Sequence, residues 1–589
     1  MSAKNISLDD VENVVLSSTS KRIGVSVPAY ACVDSPILEK AARIAAQGES
    51  VVVVCATRAH AQLLAAKAQS KADFQDIPIM FAGDVATHEL EDERVQAQVL
   101  RTSRVLDANE IDVLTEDIKV TGLKPKRLRE MLKFFYHSMS DCTAEKDGWL
   151  QTQEEAGVYA VLEENLEARR ACLPYEIYAK AYQGLVACDI AFEPRTFIVD
   201  DFGALSASAQ RLLEYLSGGQ IIAFGNDAFL SIEDEPYPAP AGMRAFLDDE
   251  NTEVYEVCAC AVEKTPAHAL STPHEEFDFV ASAVAAQIAE GAASSDIVVA
   301  VPNGIWAKYI ARALGSQNIE TFIDFGVAKT KGDPRDKTTS SAIKLAAFAK
   351  LLENPDDFTA YRTFIGANDW LLGSDGFLEL LAFARENEMP ASKAIHVLCE
   401  PENLEKATES FRKFLKPMQE YADLREVWET KNVSEIAKKM AEHGMPLGEH
   451  AGVLGTPEDK PNITAFVESF KSEMPTQPQS AVVIAPYTRC HGHHCKTLYI
   501  AGMIDGFMPK RDAVDDAFDI EHRARALARD ASMLASIEAI ASEKIIYSNF
   551  DHDAIENTGA LHMVTTRIYH KDDRRMACVS PSALLKQDA

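Results

Sequence analysis

Two acids close an apolar run in RTFIVDD, placing Asp200 and Asp201 at the end of a segment that reads as a buried strand and leads into a helix. Carboxylates there can hold a magnesium-bound nucleotide, because ligands gather at the carboxyl ends of parallel strands. The same placement also fits ordinary acids beside a helix N-terminus. Further on, IIAFGND runs a second strand into a turn at Gly225, Asn226 and Asp227. The loop TRCHGHHCK offers Cys490, His491, His493, His494 and Cys495, thiol and imidazole donors of the kind zinc takes. Its C-x4-C spacing with interleaved His matches no common finger, and four ligands from one short loop strain a tetrahedron, so a polar loop without metal is the competing reading. The segment KPKRLREMLK gathers Lys124, Lys126, Arg127 and Arg129 ahead of Phe134, Phe135 and Tyr136. Cations beside stackable rings suit single-stranded DNA. Equally, Pro125 opens an amphipathic helix that turns Leu128, Met131, Leu132 and Phe135 inward and solvates its basic face. Cys258 and Cys260 in VYEVCACAV read as buried residues sharing one face of a strand.

The elements that must position these groups alternate. Strands at Gly24–Pro28 and Ser50–Cys55 are followed by helices at Ile37–Ala46 and His60–Gln69. The pattern resumes with the strand Arg195–Asp200, the helix Ser206–Leu216 and the strand Gln220–Phe224. Such βαβ alternation predicts a parallel sheet covered on both faces. Between the two halves the sequence reads as helix alone, at Asn109–Asp117, Lys126–His137 and Glu154–Glu167. The scheme then repeats, with a helix at His274–Glu290, a strand at Asp296–Pro302 and a helix at Gly304–Leu314. A second helical stretch, about 340 to 477, ends in the linker-like Met474–Ser480. Strands at Ala481–Ala485 and Thr497–Ala501, a helix at Ile520–Ala541 and a strand at Lys544–Asn549 close the pattern.

The bulk composition sets outer limits. With 589 residues, 47% apolar and 25% charged, the chain is an ordinary globular mix, which excludes wholesale disorder. A net charge of −31 excludes nucleic-acid binding through the average field, so any DNA contact needs a local basic groove. The 11 Cys form no disulfide framework, and reduced thiols are expected. No membrane span and no secretory pattern at the N-terminus is read, and the expected location is cytoplasmic.

Taken in order, these segments resemble the UvrD/Rep/PcrA-like superfamily-1 DNA helicases. RTFIVDDFGALSASAQRLLEYL and IIAFGNDAFLSI resemble motifs II and III, and GHHCKTLYIAGMIDGFMP resembles the stretch after motif V. The opening of a second motor domain is resembled by HEEFDFVASAVAAQIAEGAASSDIVVAVPNG, and VSPSALL is similar to a segment near those helicases' C-termini. The resemblance implies an α/β fold of two RecA-like P-loop-NTPase-type domains with parallel sheets, each carrying a mostly helical insertion. It implies a first domain over 1–99 and 192–265, interrupted by an insertion over 100–191. The second domain would span 266–339 and 478–570, with an insertion over 340–477 and a tail over 571–589. Thr57 and Arg58 match a backbone-contacting motif Ia.

The catalytic positions depart from the family. VPAYACVDSPILEK has no glycine between Val27 and Ser35 and no lysine before Lys40, with Val33 and Asp34 where Lys and Ser/Thr belong. A phosphate loop needs those amides and that cation, whereas Asp34 would repel phosphate. Asp200 is kept and Asp201 replaces a Glu that would polarise water. Phe229, Pro302, His491 and Ile540 stand where the family has Gln, Arg, Lys and the arginine finger. The resemblance therefore implies a helicase-fold protein with a degenerate nucleotide site and no bound cofactor. As such it would be a non-catalytic DNA-binding or scaffolding component of repair or recombination, with single-stranded or junction DNA and a repair protein as partners. Two alternatives stay open: an active helicase with divergent motifs using ATP and Mg, and a protein-interaction module binding neither ATP nor DNA.

Overall fold

The computed structural model describes residues 3–69, 71–118, 122–188, 195–226, 237–258, 261–325, 330, 332–470, 478, 480–571 and 574–586. The first sheet comprises β1 (Lys4–Ile6), β2 (Arg22–Ser26), β3 (Ser50–Cys55), β4 (Ile79–Phe81), β5 (Arg195–Asp200), β6 (Ile221–Gly225) and β7 (Glu253–Val257). Their order is β1-β7-β2-β6-β5-β3-β4, and every pair is parallel. The second sheet holds β8 (Glu263–Lys264), β9 (His268–Leu270), β10 (Ile297–Val301), β11 (Thr321–Ile323), β12 (Val482–Pro486), β13 (Cys495–Ile500) and β14 (Ala541–Phe550). Here the order is β11-β12-β10-β13-β14-β8, with β9 also on β14, again all parallel. β15 (His552–Ala554), β16 (Thr565–Lys571) and β17 (Arg574–Val579) form a small antiparallel sheet that the sequence reading does not anticipate.

The protein is thus α/β with two seven-stranded parallel sheets, consistent with two RecA-like domains. The physical cause lies in runs such as VVVVC in β3 and IVVAV in β10, buried on both faces. Elements differ from the sequence expectation mainly at their ends. β2 stops at Ser26, ahead of Pro28, which has no N–H for the ladder. Ser206 caps its helix instead of joining it, its hydroxyl accepting from Ala209 N at 3.4 Å. Cys258 lies just past the end of β7 and is exposed, contrary to the buried strand position expected. Cys260 falls outside the described residues, as does most of Met474–Ser480.

Contacts divide the chain into two compact units. Met1–Ala82, Phe192–Gly326 and Met474–Ala589 hold both parallel sheets, and Gly83–Ala191 with Val327–Glu473 hold the two helical stretches. Within the helical unit, the first stretch is joined to the second through buried charge. Asp117, on the helix Ala108–Ile118, receives Arg362 Nη2 at 2.5 Å, Arg362 Nε at 3.2 Å, Ser374 Oγ at 2.7 Å and Arg169 Nη2. Arg104 Nε meets Asp357 at 2.8 Å, and Lys350 Nζ meets Glu110 at 2.7 Å. All three partners of Asp117 are buried with it.

Candidate functional site

The carboxyl ends of β2, β3, β5 and β6 converge on one polar cluster. After β2 the chain turns through Val27–Val33, where Ala31 N donates to Pro28 O at 2.9 Å, and enters the helix Asp34–Ala46. Val27 N donates to Gly225 O at 2.9 Å and Asn226 Nδ2 to Val27 O at 3.3 Å, tying this loop to the end of β6. Gly225 has φ +139°, which explains the glycine at that bend. Asp34 sits buried in the first turn of its helix.

His60 bridges two carboxylates. It is carried by the helix Arg58–Gln69 after β3, with its Nε2 3.2 Å from Asp34 Oδ1 and its Nδ1 2.7 Å from Asp200 Oδ2. Lys67, two turns further along the same helix, binds Asp34 Oδ2. Burial opposes charge on His60, but Asp200 and Asp34 outweigh it and hold the imidazole pKa well above its ordinary value. Asp34 is likewise buried, yet His60 and Lys67 hold its carboxyl well below the usual range. Burial raises the Asp200 pKa. Cys55, at the end of β3, is buried and its thiol is pushed up to about 12 by that burial.

Asp201 takes a left-handed backbone, φ 54°, an uncommon state for a residue with a side chain. His491 Nε2 lies 3.0 Å from Asp201 Oδ2. Burial opposes ionisation of Asp201, but the neighbouring His491 lowers its pKa. His494 is partly buried, and desolvation with the nearby His60 charge lowers its pKa to about 4, so its Nδ1–H donates to Ala29 O at 3.0 Å as a neutral ring. The loop after β2 and the strand ends around it are therefore engaged by the protein's own side chains.

The five donors of the 488–496 loop take separate partners instead of meeting at one point. Cys490 Sγ lies 3.5 Å from Pro486 O, Cys495 is in β13 with Sγ 3.6 Å from Ile540 O, and His493 Nε2 is 3.1 Å from Asp324 Oδ2. Arg489 Nε shares Asp324 at 2.8 Å. Ile540 is buried in the second sheet's core, and Pro302 packs against Gly502. Phe229 lies outside the described residues. Thr57 is buried and its hydroxyl accepts from His60 N at 3.1 Å, whereas Arg58 is exposed and lies 5.0 Å over the Phe81 ring.

In the helical unit, Lys124, Lys126, Arg127 and Arg129 stand exposed at the start of the helix Pro125–Ser140, whose Leu128, Met131, Leu132 and Phe135 are buried. Arg127 Nε lies 3.4 Å from Glu154 and Arg129 Nε donates to Pro125 O at 3.3 Å. Phe134 contacts Trp149 with ring centroids 5.9 Å apart, and Phe135 meets Tyr159 at 5.3 Å. Much of the aromatic surface is thus engaged internally.

Sequence reasoning misses Cys55, His60 and Lys67 as site residues. Each looks ordinary in an apolar strand or Ala-rich helix. Only the parallel β3–β5 pairing, with Cys55 opposite Asp200, brings them to the acids. No family model matches the sequence, and no curated protein matches it.

Proposed function

We propose that this is a UvrD-like, helicase-fold protein that does not hydrolyse ATP and serves as a DNA-binding or scaffolding component of a repair or recombination assembly. The observation that supports this reading is the Asp34–His60–Asp200 bridge with Lys67 at the head of the first RecA-like helix. A nucleotide's polyphosphate would meet a buried carboxylate there, and its natural counter-cations are already bound to protein acids. Supplying a partner's arginine would not repair this, because the loop's own amides must form the cradle. The exposed cations at Lys124, Lys126, Arg127 and Arg129 favour DNA over a pure protein-interaction role.

The test is isothermal titration with Mg-ATP, repeated with single-stranded DNA and followed by a turnover assay. The expected result is no ATP binding tighter than about 1 mM, no turnover, and DNA binding that weakens steeply with salt. Lys126→Glu with Arg129→Glu should lower DNA affinity and flatten the salt slope. DNA-stimulated ATP turnover refutes the non-catalytic reading. Silence toward both ligands instead identifies an interaction module.

A further inference from the structure

Among the described residues, one set of thiol, imidazole and carboxylate donors converges: Cys55, His60 and Asp200 place one ligating atom each within 4.8 Å of one another. The set comes from three different places in the chain, the end of β3, the following helix and the end of β5, all held by the rigid parallel sheet. It differs from the loop donors at 488–496, which face apart. We propose that Cys55 Sγ, His60 Nδ1 and Asp200 Oδ2 form a binding site for a borderline-soft divalent cation, zinc above all, with water in the fourth position.

Donor chemistry selects the metal. One thiolate and one imidazole disfavour magnesium and calcium, which take oxygen ligands, and fit zinc. His60 Nδ1 already faces Asp200 at 2.7 Å, while its Nε2 faces Asp34 at 3.2 Å. Asp34 would therefore accept the Nε2–H of a metal-bound ring, fixing the tautomer as carboxylates behind zinc-bound histidines do. A cavity of about 30 Å³ lined by Thr57, His60, Asp324 and His491 adjoins the ring and has room for one water.

Charge also balances. Without metal, imidazolium His60 and Lys67 offset Asp34 and Asp200. Binding expels the Nδ1 proton of His60 and the thiol proton of Cys55, two protons in all. The dication with Lys67 then offsets Asp34, Asp200 and the new thiolate. The groups facing His60 in either state are Asp34, Asp200, Cys55 and, through charge, Asp201 and His494.

The site does not depend on whether the protein contacts DNA. Full-length protein stripped with chelator is titrated with Zn²⁺ and with Co²⁺. One equivalent should bind, with a thiolate-to-cobalt charge-transfer band that Cys55→Ser abolishes and Cys490→Ser leaves intact. Asp34→Asn should weaken binding by about 10–100-fold while keeping the band. X-ray absorption on the unmodified zinc-loaded protein needs no variant, and should show one sulfur at about 2.3 Å with nitrogen or oxygen ligands at about 2.0 Å. A zinc shell without sulfur, no stoichiometric binding, or a cobalt band lost in Cys490→Ser instead overturns the proposal.

Discussion

Asp117→Ala offers the sharpest test of how the helical unit is held together. Asp117 is fully buried and accepts from Arg169, Arg362 and Ser374, and both guanidiniums are buried with it. Burial and the neighbouring Arg362 lower the Arg169 pKa to about 10, with Asp117 opposing the shift. That value still leaves Arg169 charged at neutral pH. Removing the carboxylate strands two buried cations, and breaking one buried pair already costs about 3–5 kcal/mol. The expected loss is at least about 4 kcal/mol, or roughly 8–16 °C in Tm for a unit this large. Asp117→Ala with Arg362→Met removes one stranded charge and should recover part of that loss. Urea unfolding followed by tryptophan emission reads this unit well, because Trp149, Trp370 and Trp428 lie in it and only Trp306 does not. A loss below about 1 kcal/mol, the cost of a surface pair, would refute the account.

Gly366→Ala perturbs the same cluster sterically. A Cβ there would stand 2.2 Å from Arg362 Nη1 and 2.7 Å from Leu372 O, so a loss of about 1–3 kcal/mol is expected by the same unfolding assay, and an unchanged midpoint would contradict it. Glu253 contributes to the acid limb of the sheet-bearing unit. Lys4, Ser18, Tyr255 and Ser20 hydrogen-bond its carboxylate and lower its pKa to about 2. The stability this contributes is present above the unfolded pKa near 4.3 and is lost as pH falls toward 2. Glu253→Gln should therefore flatten the pH dependence of unfolding between about pH 5 and 2, monitored by circular dichroism, and an unchanged slope would sink the assignment.

Strands were the most legible part of the sequence, and for a physical reason. A parallel strand buried on both faces must be a continuous apolar run, so β3, β5 and β10 announce themselves. The small sheet β15–β17 was not legible, because β16 carries exposed polar residues along most of its length and has no such run. Asp200, Asp201 and Asp34 were legible as unusual acids beside strand ends. Their partners were not. His60 and Lys67 are seven residues apart on one helix, and nothing local says that they face carboxylates delivered by β2's loop and by β5.

This asymmetry bears on how the site is held together. The apolar strands cannot drift without opening the core, so the parallel sheets persist whatever happens at their ends. The loops at those ends carry no such constraint. Without countercharge, the buried Asp200 and the half-buried Asp201 would cost several kcal/mol. The sequence answers that cost locally. His60 neutralises Asp200, His491 approaches Asp201, and Asp34 with Lys67 completes the chain of alternating charge. Each of these acids thus has a lysine or imidazole group set against it. His60→Gln should expose that dependence: it removes the bridging cation while keeping the ring's approximate reach. In the metal-free protein the imidazolium's contribution is present below pH about 6.5 and fades as pH rises through the elevated folded pKa. Wild-type stability should therefore fall from neutral toward alkaline pH while the variant's stays flat, and parallel pH profiles for the two would show that the bridge carries no charge.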